Sequence, residues 1–251
     1  MKITFKSALF YLSITFCVLQ SAYGQLEEKM MRENVERGSI ILKGKEVQGY
    51  IKKKGTGYID SERLSAPWQF QDDIRFISKE VFENKEKIKN RDFNKYSPKD
   101  IDGYKYNGDS LTFVSNKYSD MSAVGTGMIP KWKFMREVLD GEISIYHHYQ
   151  SPPSVGSTTG LRAMYVEYAE NPEIVYQKGE DEKMKLVNGM NVEKELADCE
   201  EVVKKFQNQE YEVLENSDEE KSKLKSLANK TVFRVESRIT AIKAYNETCG
   251  Q

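Results

Sequence analysis

Two dipeptides, Asn107-Gly108 and Asp140-Gly141, constrain this chain more than any other feature. Each joins a residue that tolerates positive φ to a glycine, as a two-residue type I′ turn demands. Such a turn can join only antiparallel neighbours. The first would set Tyr106 opposite Asp109 and Tyr104 opposite Leu111, between two runs of β-type composition. The second would pair Val138 with Ile143 and Met135 with Tyr146. Its left arm, Trp132 to Leu139, also fits a helix, because Trp132, Met135 and Leu139 recur at three and four. The strand-like right arm, Ile143 to Tyr146, favours the hairpin.

Further β-type runs surround these turns. Ser39 to Leu42 and Glu46 to Ile51 flank Lys43-Gly44-Lys45, which reads as a hairpin. Met164 to Tyr168, Glu173 to Gln177 and Met184 to Val187 are expected as strands. Ser151 to Gly160 is a polar, Pro- and Gly-containing breaker, hence a loop.

The pattern changes after Asn188. Val192, Leu196, Cys199, Val202, Val203 and Phe206 recur at three and four, so one amphipathic helix is expected there. Lys221 to Leu227 is expected as a second short helix after the acidic Ser217 to Glu220 start, which suits a helix N-terminus. Val235, Ile239, Ile242 and Tyr245 mark a last helix over 234–246. The fold class is therefore α+β: a mainly antiparallel β body of hairpins and meander, then a small C-terminal helical part. The expected divisions are a signal peptide at 1–24, a flexible lead or short helix at 25–37, a β-rich domain at 38–189 and the helical part at 190–251.

The first 24 residues say where the chain is sent. Lys2 and Lys6 precede an apolar run from Ala8 to Leu19, and Ala22 and Gly24 occupy small positions before Gln25. This is the pattern of a cleaved secretory signal. The run is shorter than the ~20 residues of a membrane anchor. Phe16 before Cys17 does not fit a lipidation site. An exported, periplasmic or extracellular protein is expected, with no transmembrane span in the mature chain. Cys199 and Cys249 are then the two mature cysteines, and an oxidising compartment favours a bridge between them.

Candidate chemistry is sparse. Lys and Arg number 38 against 39 Asp and Glu, a balance that argues against a nucleic-acid partner. His147 and His148 are neighbours, and on a strand they point to opposite faces, which disfavours a shared metal. No metal and no cofactor is expected. Ser151 and Ser154 lie near the histidines, but a G-x-S-x-G elbow is absent. Gly55-Thr56-Gly57 and Gly125-Thr126-Gly127 lack the G-K-[ST] ending of a phosphate loop. Asp100-Ile101-Asp102-Gly103 is only a fragment of a calcium loop. The carboxylate runs at 72–73, 180–182 and 218–220 are read as solvated. Asn229 and Asn246 head glycosylation sequons, read as incidental. With 15 Tyr in the chain, Tyr104, Tyr106, Tyr146, Tyr149 and Tyr165 are the candidate binding residues. Exposed rings on strands can stack on sugar or peptide. The plainer alternative is that Tyr suits half-buried sheet surfaces.

The opening Gly38-Ser39-Ile40-Ile41-Leu42-Lys43-Gly44-Lys45-Glu46-Val47-Gln48-Gly49-Tyr50-Ile51 resembles that of uncharacterised exported proteins of Bacteroidetes-type bacteria. The resemblance continues at Tyr96 to Tyr104, at Phe134 to Tyr146 and in the tail from Asp198-Cys199 to Tyr245-Asn246. It implies export and fold, and no activity. The expected function is a non-catalytic envelope accessory or binding module, with another envelope protein or a polysaccharide as partner. The alternative is an exported hydrolase using carboxylates or the two histidines.

Overall fold

The computed structural model describes residues 24–53, 59–60, 63–64, 66–106, 108, 110–119, 130–152, 161–179, 183–211 and 223–250. In chain order the strands are β1 (Val35–Leu42), β2 (Lys45–Lys52), β3 (Ile59–Asp60), β4 (Arg63–Leu64), β5 (Ile74–Ser78), β6 (Asn94–Tyr96), β7 (Gly103–Tyr106), β8 (Leu111–Tyr118), β9 (Lys131–Leu139), β10 (Ile143–His148), β11 (Glu173–Lys178) and β12 (Lys185–Leu186). The helices are α1 (24–33), α2 (Lys79–Asn84), α3 (Leu161–Glu170), α4 (Val192–Glu195), α5 (Glu200–Gln207) and α6 (Lys223–Thr248). The strand pairings within each unit are antiparallel. The protein is α+β, with a β-dominant body and a small C-terminal helical part.

The chain divides into two compact units, Met1–Gly55 with Asp73–Ser110, and Thr56–Asp72 with Leu111–Gln251. Residues 190–250 go with the second unit. The leader expected at 1–24 lies outside the described residues except for Gly24.

In the first unit the strand order is β7-β1-β2-β5-β6. The expected hairpin is present: Leu42 faces Lys45, and Lys43 and Gly44 take φ of 52° and 70°. Gly38 and Gly49 face each other across it. A side chain on Gly38 would collide with the Lys105 carbonyl, and one on Gly49 with the Ile77 carbonyl and the Phe76 ring. Both glycines are thus required by close backbone approach. Tyr50 packs on Phe82 with centroids 4.2 Å apart, and its hydroxyl donates to Glu83 at 2.8 Å. Residues 25–37, expected as a flexible lead or one short helix, hold α1 and the start of β1. Leu26 and Met30 join the core formed by Val35, Tyr50, Ile77, Phe82 and Phe93. Lys29 donates to the carbonyls of Phe82 and Lys85, where α2 ends. A cation at that end satisfies carbonyls the helix leaves open.

In the second unit the order is β12-β11-β10-β9-β8, with β3 and β4 as a separate two-stranded ribbon. Ile143, Ile145 and Tyr176 of the sheet pack with Val187, Met190, Val192, Leu196, Cys199, Val202, Ala241, Ile242 and Tyr245. Cys199 and Cys249 lie at disulfide-bonding distance, with Cα atoms 6.0 Å apart. Lys178 donates to Asp198 at 3.1 Å and to the Glu195 carbonyl at 2.9 Å, and the Tyr245 hydroxyl donates to Asp198 at 2.7 Å.

Several sequence expectations are corrected. Residues 164–168 are not a strand but part of α3. Met164, Tyr165, Tyr168 and Ala169 recur at helical spacing, and Pro172 follows the helix end. Trp132 to Leu139 is a strand, as favoured, but the register after Asp140-Gly141 differs. Leu139 faces Ile145 and Glu137 faces Tyr146, with a bulge between Ile145 and Tyr146. The turn is wider than two residues, and Asn246 of α6 occupies the space beside Gly141 and binds Ile143. The turn residues Asn107 and Asp109 lie outside the described residues; Gly108 has φ of 59°. Met184 to Val187 yields only the two residues of β12, then a 3₁₀ turn at Val187–Gly189.

The single helix expected over 192–206 is broken into α4 and α5. Cys199 sits outside helical geometry at the break, tied toward Cys249, while neighbouring Asp198 is held by Lys178 and Tyr245. The two last helices are one, α6, since residues 227–234 contain no Gly or Pro to separate them.

Candidate functional site

The second unit's sheet is rolled. In strand order β8 and β11 are three steps apart, which is about 14 Å in a flat sheet. Yet Asn116 of β8 donates to Gln177 of β11 at 2.8 Å, and the Tyr118 hydroxyl donates to Glu173 at 2.8 Å. Alternation puts Asn116, Tyr118, Glu137, Tyr146, His148, Glu173, Val175 and Gln177 on one face of the sheet. That face is concave, and the end of β8 folds over β11 across it. The bulge at Ile145/Tyr146 adds to the bend.

Glu173 is the centre of this face. It sits directly across from His148 in the β10–β11 register. One of its oxygens accepts from Tyr118 and lies 2.9 Å from His148 Nδ1, and the other accepts from Gln150 at 3.1 Å. The Tyr118 and His148 rings are 4.6 Å apart. The side chains of His148 and Glu173 are 7% and 15% exposed. Burial alone would raise the Glu173 carboxyl. The hydrogen bonds from His148 and Tyr118 outweigh it and hold the carboxyl below its ordinary value. On the same face, burial, with Asp140, pushes Glu137 up to about 6.

The opposite face carries the second histidine. His147 Nδ1 lies 3.4 Å from the Tyr149 hydroxyl, which accepts from Arg136 at 3.2 Å. Burial, with the Arg136 charge, depresses His147 to about 4, so it is neutral at physiological pH. Tyr149 packs with Ala66 and Trp68, against Tyr168 and Ala169 of α3. Its main chain is paired at both N–H and C=O by the Gln71 side chain, at 2.7 Å each.

The expected tyrosine row divides. Tyr104 and Tyr106 are buried in the first unit, and Tyr146 and Tyr149 are buried in the second. Tyr104, Tyr106 and Tyr146 lie on strands as expected, whereas Tyr149 lies just past the end of β10; all four rings are buried and form no open platform. Tyr165, expected on a strand, stands on α3. It is 41% exposed, edge-on to Trp68 with centroids 5.4 Å apart. The structure brings Tyr149 and Tyr165 to the same Trp68 cluster.

The other sequence candidates fall as follows. Asp72 pairs with Lys133, and Asp73 with Lys95. Asp100 accepts from Ser97, and Asp102 accepts from the Gly44 N–H. Ser154, the two Gly-Thr-Gly stretches and the acidic runs at 180–182 and 218–220 lie outside the described residues. Among the described residues, no three His, Cys, Asp or Glu side chains are grouped to hold a metal ion. Sequence reasoning singled out His148 but missed Tyr118, Gln150 and Glu173. The available signal was positional: His148 ends one strand, and Glu173 starts its partner.

The chain matches no protein-family model, no curated protein and no solved structure. Among the described residues no helix is long and apolar enough to cross a membrane.

Proposed function

We propose that this is an exported, non-catalytic module that serves the cell envelope by binding, as an accessory to an envelope protein or polysaccharide. The observation that carries the reading is Tyr165. Of the five candidate binding tyrosines it is the one left exposed, and it shares the open side of α3 with Val166, which is 47% exposed. A ring and an aliphatic side chain on a surface helix offer contact area of the kind interfaces use. The groups best suited to chemistry, His148 and Glu173, are instead engaged with each other, Tyr118 and Gln150.

Export is supported by the leader pattern and by the cysteine pair. Intact mass of the exported protein tests it, and retention of Met1 to Gly24 would overturn cleavage before Gln25. Binding is tested with Trp68 as reporter, in a Trp132→Phe background. Purified envelope polysaccharide, and separately envelope protein fractions, are titrated in while tryptophan fluorescence is followed. A saturable change that Tyr165→Ala abolishes is expected with one of them. No change with either overturns the reading.

A second reading, an exported hydrolase, is favoured by one feature. A carboxylate orienting an imidazole is the arrangement of a general base. Turnover of model esters or glycosides that His148→Ala removes would establish it in place of the first.

A further inference from the structure

Glu173 is the shared acceptor for three segments of the second unit. Tyr118 comes from the end of β8, His148 from the end of β10, and Gln150 from the stretch that leaves β10. In sheet order β8 is not a neighbour of β11, so no backbone ladder joins them. The fold-over of β8 onto β11 is carried by side chains: Tyr118 on Glu173, Asn116 on Gln177, and the packing of Tyr118 with Met135, Tyr146 and Val175. Of these links, the one through Glu173 contains a group that titrates in acid.

We propose that Glu173 is the pin of an acid-operated latch: charged, it holds the end of β8 and the stretch after β10 onto β11; protonated, it lets both come away. An ionised carboxylate accepts from Tyr118 and Gln150, and from His148 Nδ1 where that nitrogen carries the proton, and its hydrogen bonds are stronger than those of a neutral acid. On protonation one oxygen becomes a donor facing the Tyr118 hydroxyl and the Gln150 amide, which donate to the charged form. Among the described residues the titratable groups on its face are Tyr118 from β8, Glu137 from β9 and His148 from β10. Lys131 lies across from Tyr118 in the β8–β9 register. Met184 and Leu186, on the β12 side, add no charge.

The direction follows from the native carboxyl lying below its ordinary value of 4.5. Between that value and the lower native one, opening takes up a proton. The open fraction therefore rises by up to about tenfold for each pH unit of acidification, and levels off below. This latch is independent of what binds at Tyr165.

Hydrogen exchange on the full chain tests it, followed from about pH 7 to about pH 3 and corrected for the chemical pH dependence of amide exchange. Residues 111–118 and 147–150 are expected to lose protection in acid while β1, β2 and the end of α6 keep theirs. Glu173→Gln should show the acid-form exchange already at neutral pH, with no further pH dependence in residues 111–118. Tyr118→Phe should keep the pH dependence and move its midpoint up, because a bond that favours the charged form is gone. Undiminished protection of 111–118 in acid overturns the latch. So does its loss in one step with β1 and β2. If Glu173→Gln does not fold, Tyr118→Phe decides, and an unmoved midpoint overturns the proposal.

Discussion

Asn246, near the end of α6, pairs with both main-chain groups of Ile143 at the start of β10. Its side chain accepts from the Ile143 N–H at 3.0 Å and donates to the Ile143 carbonyl at 2.9 Å. A carboxamide here does what a neighbouring strand would do. The Gln71 side chain does the same for Tyr149, just past the other end of β10. Asn246 also heads a glycosylation sequon, yet its amide nitrogen is committed to Ile143.

Asn246→Ala leaves a donor and an acceptor of Ile143 without partners. Each such group costs about 1–3 kcal/mol when buried. Chemical denaturation should show a loss of about 2 kcal/mol or more. Gly141→Ala should destabilise by collision with the same side chain. In the double variant that collision is relieved, so the two losses should fall short of additive. Strict additivity would separate Gly141 from Asn246.

Gln71→Leu keeps the bulk of a residue that is 2% exposed and removes both bonds to Tyr149. A loss of about 2 kcal/mol or more is expected from the two unpaired groups. The Trp68 fluorescence should change with it, since Trp68 and Tyr149 share one cluster. Unchanged stability would mean that water replaces the amide at no cost.

The cysteine pair spans 50 residues. A bridge closing such a loop contributes ~4 kcal/mol on the chain-entropy account. Non-reducing mass analysis of the chain without its leader, and so without Cys17, should find no free thiol. Cys249→Ser should lower the melting temperature and loosen α5 and α6 before the strands. Equal loss of exchange protection in helices and strands would contradict that order.

Two titrating groups on the β9–β10 pair act in opposite directions. His147 is depressed to about 4 from 6.5. Below 6.5 the unfolded chain takes up a proton that the folded chain refuses, so stability falls as pH drops from 6.5 toward 4. Glu137 is raised to about 6 from 4.5. Its contribution is whole below 4.5 and is lost as pH rises through 6. Urea denaturation across this range should show a flatter acid limb for His147→Gln. Glu137→Gln should gain stability relative to the parent at about pH 7. Parallel pH profiles for parent and variants would refute both assignments.

The local turn chemistry was legible in the residues. Lys43-Gly44 and the β-type runs on either side predict the β1–β2 hairpin, because the turn and both arms are contiguous. The cysteine pair was legible from its count. What stayed hidden depends on distant partners. The spacing of Met164, Tyr165, Tyr168 and Ala169 fits a helix, but their composition also suits a strand, and packing on Trp68 accompanies the helix. The register after Asp140-Gly141 departs from the two-residue turn, and the residue that packs there, Asn246, is 103 positions from Ile143 in sequence. Likewise, that Glu173 gathers Tyr118, His148 and Gln150 depends on the roll of the sheet, which no periodicity in the strands reports.

The carboxamide link from Asn246 to Ile143 also bears on the order in which the chain can settle. The first unit is complete once Ser110 has been made, and its most distant strand pairing, β1 with β7, joins Gly38 to Tyr106. The second unit holds one end of β10 with Gln71 and the other with Asn246. Its central strand therefore waits, half-tethered, until nearly the last residue emerges. During that interval the interior-facing side of β10 is open to wrong partners, a cost that grows with the sequence distance of the final contact.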